Sequence, residues 1–225
     1  MKDTFSLLGV KAETLSAKEA MRAFLALSET EEISIVEILT EEVLVENHLS
    51  EKTKNNIEKS DMVFVGDEAV LKAVGETDGR TLRDARKHVF LKMILRLLRE
   101  QKAKVFLVAE SPERLMAYKG SLRCGYSAIE VTGEAVICAE RENDSALVNT
   151  INGLEVDAVL SEISSAEKEN FGVRNRDVLD VSMWIRTGKI PDKWGNRPNL
   201  KKSFKYFCRK HLLWKALKKE NKEED

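Results

Sequence analysis

Eight basic side chains and no acid fall within residues 199–219: Lys201, Lys202, Lys205, Arg209, Lys210, Lys215, Lys218 and Lys219. The chemistry that density supports is binding of a polyanionic surface, because each cation near an anionic layer adds about 1 kcal/mol of attraction. On a helix, Leu200, Phe204, Phe207, His211, Trp214 and Leu217 recur at spacings of three and four and gather into one apolar stripe beside the basic faces. Three occupants suit such a segment: a membrane surface, with Lys201, Lys202, Phe204, Lys205, Phe207, Lys210 and Trp214 as the contacting residues; the protein's own core; or an acidic macromolecule. The membrane is the occupant expected here, and nucleic acid is not among the expected partners. The remaining charge accentuates the contrast. The chain as a whole is −1, the last six residues are −3, and residues 1–198 carry −6.

Other residue types offer less. The three histidines, His48, His88 and His211, stand in no recognisable triad context and are expected at the surface. Cys124, Cys138 and Cys208 are odd in number and widely spaced, so neither a disulfide framework nor a metal site is expected. Both common phosphate-cradling fingerprints, G-x-G-x-x-G and G-x-x-x-x-G-K-[ST], are absent.

The elements that must position any site alternate between short β-rich runs and helical patterns, which predicts an α/β fold: a Rossmann-like, mostly parallel sheet flanked by helices, with a basic amphipathic helical appendage at the C-terminus. Residues 1–198 are expected to form the body and 199–225 the appendage. Strands are predicted at 5–10, 33–39, 62–65, 104–109, 128–132, 135–139 and 156–163. Helices are predicted from the Ser16–Glu19 capping box to Leu27, at 50–59, along the apolar face Val89, Phe90, Met93, Ile94, Leu97 and Leu98, from Ser111-Pro112 to Tyr118, and from Asn143 or Asp144. Ser164–Glu167 reads as a second capping box. Phe64, Phe106, Trp184 and Trp194 are expected in the core.

Ligands of open parallel sheets sit at the carboxyl ends of strands, so the loops 66–68, 110–113, 140–143 and 162–169 are the candidate ligand loops. With 43% apolar and 33% charged residues the composition is that of a soluble globular chain, and no apolar run approaches the ~20 residues needed to span a bilayer. The first residues, MKDTFSLLGV, lack a basic start followed by an apolar core, so a cytoplasmic location is expected.

Taken in order, SLLGV with LSAKEAM, SDMVFVGDEAVL, LKMILRLLREQKAKVFLVAE, INGLEVDAVLSEISSAEKE, WIRTGKIPDKW and SFKYFCRK resemble, collinearly and over nearly the whole chain, the WecG/TagA/CpsF family of bacterial glycosyltransferases. The resemblance implies transfer of an N-acetylhexosamine, typically N-acetylmannosamine, from a UDP-sugar to a polyprenyl-diphosphate-linked sugar in cell-surface polysaccharide or teichoic acid synthesis. It implies inversion without a metal or other cofactor, at the inner face of the cell membrane, with the appendage docking on the membrane and a possible homo-oligomer. Asp67 falls on the family's proposed general base, Glu169 on the glutamate that closes a Pro-Lys-Gln-Glu run, and Arg209 on the appendage arginine, the last two as substrate-binding residues. Glu68 and Ala109-Glu110 stand where the family has glycines, and Ser164–Lys168 where it has Gly-Ser-Pro-Lys-Gln. A non-catalytic, membrane-associated relative serving as a binding or scaffolding subunit is the alternative that these replacements suggest.

Overall fold

In the computed structural model, residues 4–190 are described apart from 8–9, 31, 47–50, 127, 138–143 and 164–169. The strands are β1 (Thr4–Leu7), β2 (Val10–Glu13), β3 (Ser34–Leu39), β4 (Met62–Val65), β5 (Lys104–Ala109), β6 (Glu130–Val136), β7 (Ala158–Glu162) and β8 (Met183–Arg186). They form one eight-stranded sheet in the order β1-β2-β4-β3-β8-β7-β5-β6. The six strands from β4 to β6 in that order are all parallel, β2 runs parallel to β4, and β1 closes the edge antiparallel to β2. The α/β, Rossmann-like architecture expected from the sequence is therefore the one observed.

Helices cover both faces. α1 (Ala17–Leu27), α6 (Val89–Glu100) and α7 (Pro112–Tyr126) lie over one, where Phe24, Ile94, Leu95 and Tyr118 pack on Val36, Leu107, Leu160 and Ile185. On the other face α8 (Asp144–Gly153) and α9 (Phe171–Arg174) cover Val108, Val159 and Trp184. α2 (Glu41–Glu46), α3 (Glu51–Glu58), α4 (Glu68–Ala73) and α5 (Gly79–Arg86) gather around Leu39, Val65 and Leu71. Coverage on both sides explains why all six residues of β3 and all five of β7 are buried.

Local chemistry sets the elements. Ser16 and Glu19 make the predicted capping box: the Ser16 hydroxyl accepts from the Glu19 amide at 3.4 Å, and the Glu19 carboxylate accepts from the Ser16 amide at 3.0 Å. The single strand predicted at 5–10 is instead the β1–β2 pair. The two strands predicted at 128–132 and 135–139 are one, β6. Its register against β5 slips at Thr132, and Gly133 fits because a Cβ there would lie 2.5 Å from the Phe106 ring and 2.8 Å from Leu154. Gly133 is thus a close approach within the strand and does not end it.

The expected core aromatics Phe64, Phe106 and Trp184 are buried. Trp184 lies on Gly172 of α9 and donates from Nε1 to Ser161 Oγ at 3.2 Å. One charged pair is enclosed with them. Glu37 of β3 and Arg186 of β8 are register partners, and the Arg186 guanidinium donates to Glu37 Oε2 at 3.3 Å, the Asn56 carbonyl at 3.2 Å and Ser60 Oγ at 3.3 Å. Burial pushes the Glu37 carboxyl upward and Arg186 pulls it back. The appendage, Trp194 and the second capping box at Ser164–Glu167 lie outside the described residues.

Candidate functional site

Parallel strands deliver their carboxyl ends to one edge, and five of them bring polar groups there: Thr40–Glu42 after β3, Gly66–Glu68 after β4, Glu110 after β5, Glu162 at the end of β7 and Thr187–Lys189 after β8. Gly66 allows β3 and β4 to close up, since a Cβ there would come within 2.4 Å of Ile38 Cγ2. Beside this junction a cleft opens between the strand ends and the start of α6. Its rim carries Thr40, Asp84, His88, Thr187 and Lys189 over an apolar floor that includes Phe64 and Phe90.

His88 is half-buried in that cleft, and not a surface residue as its polar sequence neighbours suggested. It holds a left-handed backbone (φ 50) as it turns the chain into α6, and burial, then the charge of Lys92, lowers its pKa. No side chain caps that end of α6, whose dipole adds to Lys189 in favouring a negative group.

Asp67 occupies the end of β4. Its Oδ1 accepts from the Ala69 amide at 2.6 Å as the N-cap of α4. Burial pushes its carboxyl above the ordinary range, against the amide bonds from Ala69, Val70 and Glu41 that favour the charged form. Glu68, next in sequence, is neutralised on the spot. Arg86 grips it in a two-pronged pair (2.6 Å and 2.6 Å) and Lys72 adds a 2.8 Å contact, which together hold its carboxyl at about 2.

Farther along the edge three carboxylates converge on Arg114, in the first turn of α7. Glu110 lies 2.8 Å from its Nε, Glu42 3.4 Å from Nη2 and Glu162 4.0 Å from Nη1. Glu162 is 3% exposed and the most distant of the three. Burial, with Glu42 and Glu110 adding to it, pushes its carboxyl up to about 7 against the pull of Arg114 and Lys189. Behind it the buried Tyr118 hydroxyl meets Thr187 Oγ1 at 3.0 Å, so α7 and β8 are tied together under the cluster.

Of the residues singled out from the sequence, Asp67 is on this edge. Glu169, Arg209 and the appendage residues Lys201, Lys202, Phe204, Lys205, Phe207, Lys210 and Trp214 lie outside the described residues. Sequence reasoning missed Glu42, Arg114, Thr187 and Lys189. For Arg114 a signal existed, its spacing of four from Glu110 just before α7. Among the described residues no cluster of His, Cys, Asp or Glu is arranged to hold a metal ion, and no helix is long and apolar enough to cross a membrane.

In a parallel α/β sheet the carboxyl ends of the strands are where ligands are held, and the cleft and the polar groups beside it lie on that edge. The comparison with known families is specific: the Glycosyl transferase WecG/TagA/CpsF family model matches residues 5–199, and the chain belongs to that family. No curated protein matches the sequence significantly. Membership gives the chain a glycosyltransferase role, with a sugar donor and an acceptor as its substrates.

Proposed function

We propose that this protein transfers an N-acetylhexosamine from a UDP-sugar to a polyprenyl-diphosphate-linked sugar at the inner face of the cell membrane, without a metal or other cofactor. The observation that carries the reading is Asp67, a carboxylate raised in basicity by burial at the end of β4, next in sequence to Gly66 of the cleft lining. In the reaction the acceptor hydroxyl oxygen attacks the anomeric carbon, the bond from that carbon to the diphosphate oxygen breaks, UDP leaves, and the hydroxyl proton passes to Asp67. Attack opposite the leaving group inverts the centre. Lys189 and the start of α6 favour the diphosphate side of the donor. Glu169 and Arg209 are the further substrate-binding residues, and Lys201, Lys202, Phe204, Lys205, Phe207, Lys210 and Trp214 rest on anionic lipid.

The alternative, a non-catalytic membrane-associated subunit, draws on the glutamates that replace loop glycines. Glu68 is matched by Arg86 and Lys72, so much of the repulsion that residue would exert on a diphosphate is cancelled. That favours the catalytic reading.

Asp67→Asn is the discriminating variant, because asparagine still caps a helix. Turnover is expected to fall on the order of 10²–10⁴-fold with UDP-sugar affinity nearly unchanged, as steady-state kinetics beside calorimetry would record. Equal turnover of the variant would remove Asp67 from the chemistry. Failure of the parent protein to bind UDP at millimolar concentration, with no retention on anionic vesicles, would reject the function.

A further inference from the structure

Residues 79–102, which form α5 and α6, carry eight basic side chains and two acids, a net +6 on a body that sums to −6. Seven of the eight are exposed, and the eighth, Lys92, is half-buried. On α6 they are ordered. Phe90, Leu91, Ile94, Leu95 and Leu98 are buried against the core, which leaves Lys92, Arg96 and Arg99, at spacings of four and three, on the outward face. Lys92 acts on His88 at the cleft rim. At the far end burial raises the Tyr126 hydroxyl and Arg96 and Arg99 pull it back, so the stripe runs from the cleft to the last turn of α7. Half-buried Met93 and Leu97 lie beside it.

The acidic body leaves this charge largely uncompensated. On α5, Arg86 is taken up by Glu68 and Arg83 lies 4.0 Å from Asp84, but on α6 Arg99 has only Glu100 at 3.9 Å, and Arg96 has no ion-pair partner among the described residues. A cationic face on an acidic protein attracts a polyanion. Two features favour an anionic bilayer over other polyanions: the stripe starts at the rim of the cleft that must receive a lipid-linked acceptor, and its mixture of cations with apolar side chains suits a headgroup layer. We propose that the outward face of α6, with Lys92, Arg96 and Arg99, is a contact for anionic phospholipid on the body itself, separate from the appendage, and that it holds the cleft rim at the membrane surface. The inference rests on the membrane reading above and adds a second lipid-binding surface, which makes attachment bivalent.

The experiment is co-sedimentation of the full chain with vesicles of phosphatidylcholine alone and of phosphatidylcholine with phosphatidylglycerol, beside calorimetry with UDP. The parent should favour the anionic vesicles, and Arg96→Glu with Arg99→Glu should weaken that binding by about tenfold or more, with UDP affinity unchanged. The same change of charge at Lys54 and Lys59, in and after α3, should alter it by less than about threefold. Arg96→Gln with Arg99→Gln is the milder variant and decides the point, with a several-fold loss, if the reversal disturbs folding. Parent-like vesicle binding by the α6 variants, or an equal loss from the α3 pair, would overturn the proposal and leave the membrane reading to the appendage. Loss of UDP affinity along with vesicle binding would assign the two arginines to the fold or the donor site and overturn it as well. Tighter binding of the parent to a DNA duplex than to anionic vesicles, abolished in the α6 variants, would overturn the lipid assignment in favour of nucleic acid. No retention of the parent on any vesicle would overturn the membrane reading, and the second contact with it.

Discussion

Glu162→Gln removes a charge that the fold resists, and the size of the effect follows from its surroundings. The carboxyl is carried from 4.5 to about 7 on folding. At 1.36 kcal/mol per pKa unit that displacement is worth about 3 kcal/mol. The folded state holds the Glu162 proton more tightly than the unfolded chain does. Stability from this group is therefore fully present below pH 4.5, declines as pH rises, and levels off above about 7. Glutamine is neutral throughout and of nearly the same shape, so the substitution changes the charge and little else. Urea unfolding of parent and variant at pH 4.5, 6, 7 and 8.5 isolates the term, since other titrating groups are common to both. The variant should match the parent within about 0.5 kcal/mol at pH 4.5 and exceed it by up to about 3 kcal/mol at pH 8.5, a midpoint shift of about 1 M urea. Parallel pH curves for the two proteins would refute the reasoning and place Glu162 in an ordinary, solvated environment.

Arg186→Met strands the buried Glu37 carboxylate and should cost about 3–5 kcal/mol in the same assay, whereas Glu37→Leu combined with Arg186→Met should recover most of it; an unrecovered double variant would show that the pair's other contacts matter more than its charge. Gly172→Ala sets a methyl 2.9 Å from the Trp184 ring and should lower stability by about 1–3 kcal/mol in thermal melts, while Gly120→Ala, in the body of α7 with nothing within 4 Å, should raise it by up to about 1 kcal/mol. Reversal of that order would mean that α9 gives way without resistance.

Where the determinants of structure were local, the sequence displayed them. The Ser16–Glu19 box and the amphipathic face of α6 need only a few consecutive residues, and both elements form as read. α4 and α5 are short, and their capping aspartates, Asp67 and Asp78, are as common in turns as at helix starts. β8 escaped for a different reason: Arg186 is a charged residue at a fully buried position, and its partners Glu37, Asn56 and Ser60, which make it tolerable there, lie 149, 130 and 126 residues away. The site divides in the same way. Asp67 is identified by the family motif around it, and Glu110 and Glu162 fall in loops marked from the sequence, but Glu42, Arg114 and Lys189 join them only after β3, β7 and β8 have been laid side by side. Long-range pairing of that kind leaves no periodic trace.

The central position of β8 also bears on how the chain reaches this structure. β3 and β7 do not touch each other; each pairs with β8, so the final strand of the described sheet is the one that joins its two halves. A chain synthesised only as far as residue 182 would hold two partial sheets, each with an apolar inner edge still open to hydrogen bonding. Closing them requires contacts across about two thirds of the sequence, which predicts slow, late completion and a window during synthesis when the halves are prone to pair with the wrong partner. The carboxyl-edge cleft inherits that timing, because Thr187 and Lys189 arrive on its rim only with β8.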